Sequence, residues 1–66
     1  MKGRVVHWNE RNYGFIKRDD GRPDSFVHAR NVVGELALPV GAPVEFDDGE
    51  DPRTGRPCAT NVKVLR

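Results

Sequence analysis

Between Arg18 and Asp24 the sequence reads Asp19-Asp20-Gly21-Arg22-Pro23, and this run limits the fold more than any other. Gly21 is free to take a positive φ and Pro23 cannot join a central ladder, so the chain has to reverse here. The segments on either side alternate. Tyr13 to Arg18 reads as one strand and Asp24 to Ala29 as the next, while Lys2 to Trp8 forms an earlier strand joined through a polar turn, Asn9 to Asn12. Three strands in immediate succession make a meander. Alternate residues of a strand share a face, so Tyr13 and Phe15 point one way and Gly14 and Ile16 the other. By the same rule Phe26 and His28 share a face, with Val27 opposite. In the first strand strict alternation puts Val5 inward and Arg4, Val6 and Trp8 outward.

The second half continues the pattern. Gly34 to Gly41 is a loop containing Leu36, Leu38 and Val40, apolar enough to be expected as a plug in one end of the fold. Pro43 to Asp48 is a fourth strand with Val44 and Phe46 on its core face. Gly49 to Gly55 is a turn rich in acid, glycine and proline, and Arg56 to Leu65 is the fifth strand. Five short strands with regularly spaced turns favour a closed barrel or a sandwich, and closure removes edges that so small a sheet would expose. The all-β chain has no repeat, low-complexity segment or linker, so residues 1–66 are read as a single domain.

At 66 residues the chain lies near the lower limit for building its own core. Its one cysteine, Cys58, excludes an internal disulfide and fits a reducing cytoplasm. No apolar run approaches membrane-spanning length, and Met1-Lys2-Gly3 leads into a strand pattern instead of a signal peptide, so a soluble cytoplasmic protein without membrane contact is expected. Charge is unevenly placed. Residues 1–33 carry seven basic and four acidic side chains, residues 34–66 four and six. The basic half is the half that holds nearly all the aromatic residues, and an anionic partner would be drawn there.

Ile16 and Val27 occupy the inward positions of the second and third strands, which leaves Tyr13, Phe15, Phe26 and His28 on the surface among Arg4, Arg11, Lys17 and Arg30. Flat π-faces flanked by cations suit unpaired bases and their phosphates. Lys17 shares the Tyr13/Phe15 face and would meet phosphate without reading sequence. A metal site from His7, His28 and Cys58 would need three separate strands and has no short-spaced ligand pair, so neither a metal nor another cofactor is expected. The carboxylates Asp19, Asp20, Asp47, Asp48, Glu50 and Asp51 sit in turns or at a strand end and read as solvated charge. No catalytic group and no small-molecule substrate are therefore expected. A barrel that uses Trp8 and Tyr13 to dock a partner protein is the competing class.

The residues themselves resemble a known family. Tyr13-Gly14-Phe15-Ile16 is similar to the end of the first ribonucleoprotein motif of cold-shock domains, and Phe26-Val27-His28 to the second. Gly3-Arg4-Val5-Val6-His7-Trp8-Asn9 resembles the family's first strand, Gly-x-Val-Lys-Trp-Phe-Asn, and Arg56-Pro57-Cys58-Ala59-Thr60-Asn61-Val62 its last. The resemblance implies a five-stranded antiparallel β-barrel of the oligonucleotide-binding type, a helical turn over Arg30–Val33, and binding of single-stranded RNA or DNA by a monomer acting as an RNA chaperone. It also implies a base-contacting role for His28, a base-edge acceptor in Asp24 (a turn-terminating Asp on the alternative reading), and backbone-facing cations in Arg11 and Arg56.

The sequence departs from the family at several points. His7 stands where the family has a stacking Trp and Val6 where it has Lys, so either His7 or Trp8 completes the platform. Asn12 meets Tyr13 without the usual Gly, Ala29 replaces another stacking Phe, and the Gly34–Gly41 loop is short and lacks an aromatic. Each lost ring removes roughly 1–3 kcal/mol of stacking, which predicts a weaker or narrower binder.

Overall fold

A computed structural model describes residues 1–65. Five strands, β1 (Lys2–Asn9), β2 (Tyr13–Arg18), β3 (Ser25–His28), β4 (Pro43–Glu50) and β5 (Pro57–Val64), close into a barrel in the order β1-β2-β3-β5-β4. The meander β1-β2-β3 and the β1–β4 and β4–β5 pairs are antiparallel. The last seam is parallel: β3 meets β5 at Phe26 and Cys58, and an isolated bridge joins Val32 to Val62 beyond it. Among the described residues no helix is long and apolar enough to cross a membrane.

Val5, Ile16, Val27, Val44, Phe46 and Val62 point into the barrel and are almost wholly enclosed. Each contributes roughly 1.5–3 kcal/mol through burial. Val5, Ile16, Val27, Val44 and Phe46 are the inward residues the alternation predicts, and Val62 of β5 joins them. The register breaks twice, in β1 against β2 and, between Glu45 and Asp47 of β4, against β5. Val5 faces Ile16, but the next pair is His7 with Phe15, so Val6 is an extra residue, a bulge in β1. The bulge corrects the strict alternation expected here. Val6 and His7 are both exposed, and Trp8 turns to the inner side, where it is half-buried against the core.

Several boundaries also move. Ala29 leaves β3 and starts a 3-10 turn, Ala29–Asn31, one residue ahead of the helical turn expected at Arg30. β4 runs on to Glu50, so the last turn begins at Asp51, and β5 starts at Pro57, leaving Arg56 outside it. In the β1–β2 turn Asn12 takes φ 68°, a left-handed conformation that asparagine tolerates, and so stands in for a glycine. Its carbonyl accepts the N–H of Ala29 at 2.8 Å, which ties the turn to the end of β3. Of the three apolar loop residues expected to plug the barrel, only Leu38 does so. Leu36 is 91% and Val40 64% exposed, since the loop crosses the barrel end at a single side chain.

The other end is closed by a charge. Arg18 lies two residues beyond Ile16 on the inner side of β2 and is buried. Its guanidinium donates to Asp20 at 3.0 and 2.7 Å, to Ser25 Oγ at 3.2 Å, to Asp48 Oδ2 at 3.0 Å and to Asp48 Oδ1, and it sits 5.8 Å from the centre of the Phe46 ring. These hydrogen bonds hold the carboxyl group of Asp20 well below the usual carboxylate range and lower that of Asp48. Asp51 is buried as well and accepts the N–H of Arg53 at 2.8 Å. Three of the six acids read as solvated charge are thus structural; Asp19, Asp47 and Glu50 are exposed as expected, though Asp47 Oδ2 accepts from Asn61 Nδ2 at 3.0 Å.

Candidate nucleic-acid interface

The register places the outward rings of β1, β2 and β3 in rows. Phe15 stands directly opposite Phe26 and, across the other seam, opposite His7. Tyr13 stands opposite His28, with Asn9 on its far side. The Phe15 and Phe26 rings meet edge to face with centroids 5.8 Å apart, and Tyr13 meets Phe26 at 5.5 Å and Phe15 at 6.4 Å. His7 extends the row, its ring 6.1 Å from that of Phe15. The Tyr13–Phe15 and Phe15–Phe26 contacts are edge to face and the Tyr13–Phe26 and His7–Phe15 contacts tilted, so each ring is fixed against its neighbours. Phe15 is 36% exposed, and Tyr13, Phe26 and His28 are half-buried.

Gly14 makes this face possible. A Cβ there would strike the backbone carbonyl of His7 and come within 2.8 Å of the Trp8 ring. The indole therefore lies over Gly14 on the inner side, and the imidazole of His7 takes the outer place beside Phe15. Of the two candidates for that place, the bulge at Val6 selects His7.

His28 is oriented by the backbone. Its Nδ1 accepts the N–H of Arg30 at 3.2 Å, the cap of the 3-10 turn. With Nδ1 acting as an acceptor, the proton of the neutral ring resides on Nε2, which is then a donor. Such a ring can stack on a base and donate to a carbonyl or ring nitrogen at its edge.

The segment between β4 and β5 folds toward the rings and borders two shallow concavities that meet at Phe26. One lies among Tyr13, Phe15, Phe26, Asp24, Arg53 and Arg56. The other has Phe26 and Cys58 with His28, Arg30, Arg53 and Thr60 around them. Asp24 and Arg56, singled out from sequence, are thus brought to the edge of the rings. Lys17 is exposed on the same face, opposite Arg4. Arg11 is exposed in the β1–β2 turn, with its N–H held by Asn9 Oδ1 at 2.9 Å, and borders neither concavity. Arg53 borders both and was not expected. Only the parallel β3–β5 seam carries its loop to Phe26, and no local pattern in the sequence signals that seam. The Cys58 thiol is buried beside the rings, and burial pushes its pKa up.

Comparison with known proteins agrees with this architecture. The family model of the "cold-shock" DNA-binding domain matches residues 1–65. The chain is 44% identical over 65 residues to the cold shock-like protein of Aquifex aeolicus, covering 92% of this chain and 90% of that one. It is 36% identical over 68 residues to cold shock protein CspA of Rhizobium meliloti, covering 97% and 99%. It is also 36% identical over 55 residues to a short part of the RNA-binding protein Unr of Drosophila melanogaster, covering 82% of this chain and 5% of Unr. With a family match across the barrel, near full-length relatives and both ribonucleoprotein-like segments paired side by side, the chain belongs to the cold-shock DNA-binding domain family.

Proposed function

We propose that this protein binds single-stranded RNA or DNA without catalysis and acts as an RNA chaperone in the cytoplasm, as a monomer. Bases stack on Phe15, Phe26, Tyr13 and His28, with His7 extending the platform, while Lys17, Arg11 and Arg56 neutralise phosphates. Capturing unpaired segments as they appear shifts hairpins toward the open form without an energy source. The observation that carries this reading is the ring pair Phe15–Phe26, set edge to face at 5.8 Å on the outer surface of a barrel whose core is already filled by Ile16, Val27 and Phe46. Rings with no packing duty inside, on the outer face of the barrel, are suited to a stacking ligand. Half-buried Trp8 supports the platform from beneath instead of forming part of it.

The test is fluorescence anisotropy of labelled oligothymidine and oligouridine. Saturable binding is expected, weakened about 5- to 150-fold by Phe15→Ala and by Phe26→Ala, since each stacked ring contributes ~1–3 kcal/mol. Circular dichroism should show the barrel retained in both variants. No saturable binding by the unmodified protein would end this reading.

A further inference from the structure

One row of the ring-bearing face holds no ring. Two residues along β2 from Phe15, roughly 6.6 Å away, Lys17 stands directly opposite Arg4 of β1, and both are exposed. Like charges placed directly opposite across a ladder destabilise a sheet unless something neutralises them. On the β3 flank of Lys17 the residue next to Ser25 in the register is Asp24, which forms no ion pair with the lysine. Arg4 has Pro43 on its other flank, and among the described residues no carboxylate forms an ion pair with either side chain. The neighbouring position on β1 is arranged differently, since Lys2 stands opposite Glu45. The Arg4 guanidinium is also anchored: Nη1 donates to the carbonyl of Gly41 at 2.6 Å, on the β4 side of the strand.

We infer that Arg4 and Lys17 form a phosphate clamp for the backbone of the strand lying on the rings, and that the missing counter-charge is the nucleic acid itself. This deepens the proposed function and rests on it. The bulge at Val6 is part of the arrangement. Three steps along β1, from Arg4 to His7, span two along β2, from Lys17 to Phe15. The clamp and the rings therefore share one face despite the odd separation of Arg4 and His7. The clamp is held in tension in the free protein, and the bound phosphate relieves it.

Two readouts should move in opposite directions. Lys17→Glu supplies Arg4 with a partner, so its urea midpoint should rise above that of the unmodified protein while its affinity for oligothymidine falls. Lys17→Gln should lower the slope of log K against log salt by about 0.7, the value expected for one phosphate contact on a single strand. The Arg4→Gln/Lys17→Gln pair should lower it by about twice that. Lys63→Gln, on β5 opposite Glu45, should leave the slope unchanged. If Lys17→Gln binds with an unaltered slope, or if Lys63→Gln lowers it equally, the clamp is overturned while the ring platform survives. If the unmodified protein binds no oligonucleotide, clamp and platform fall together. A Lys17→Glu variant no more stable than the unmodified protein overturns the claim of an unrelieved charge pair.

Discussion

At Gly14 a single backbone position serves two surfaces. Its inner side receives the Trp8 indole and its outer side lies between Tyr13 and Phe15, so no side chain larger than hydrogen fits without moving the carbonyl of His7. Gly14→Ala is expected to lower stability by about 1–3 kcal/mol, the usual cost of forcing an extra carbon into a filled site, and urea denaturation measures it. The same substitution should weaken oligonucleotide binding, because displacing β1 carries His7 away from Phe15. His28 offers a second residue-level test. Since Arg30 occupies Nδ1, the base sees only a donor, so His28→Phe should keep stacking yet lose discrimination between bases that differ in an edge acceptor. Competition among short homopolymers in the anisotropy assay checks this.

Among the elements, β2 shows how much of the fold could be read from sequence. Its alternation correctly gave Gly14 and Ile16 to the inside and Tyr13, Phe15 and Lys17 to the outside. That same alternation carries Arg18 inward, yet its partners were not legible, because Asp48 lies 30 residues away and becomes a neighbour only when the barrel closes. The bulge in β1 escaped for a related reason. Alternation assumes one residue per step, and nothing in Val5-Val6-His7 marks where a step is doubled. The β4–β5 loop is legible as a turn, but its place beside Phe26 depends on the parallel seam. The Arg18 cluster makes a prediction in pH. Asp20 and Asp48 have folded pKa values below their ordinary 3.8, so below about pH 4 the unfolded chain takes up protons that the folded one does not. Their stabilisation is therefore complete above that value and is lost progressively as the pH falls beneath it. Asp20→Asn/Asp48→Asn should be less stable at pH 7, with Arg18 left unpaired, and should decline less steeply on acidification; urea midpoints against pH measure both.

For the molecule as a whole, Cys58 reports on closure. It is 6% exposed, faces Phe26 across the parallel seam, and has its thiol pKa raised by burial. Alkylation should therefore be slow in the folded protein and fast in urea, and saturating oligothymidine should slow it further, because a ligand that binds only the folded state reduces opening. The rate of iodoacetamide labelling by mass spectrometry checks this. The seam also bears on the order in which the protein becomes competent during synthesis. β3 has four residues and leans on β2 at one edge and on β5 at the other. A ribosome delivers both ring-bearing segments well before Pro57 emerges, and until then β3 has an open edge and the Arg53 loop has nowhere to rest. A chain halted at that stage carries every platform ring on a sheet whose β3 edge is still unpaired, so full RNA capture is expected late, when the final strand docks.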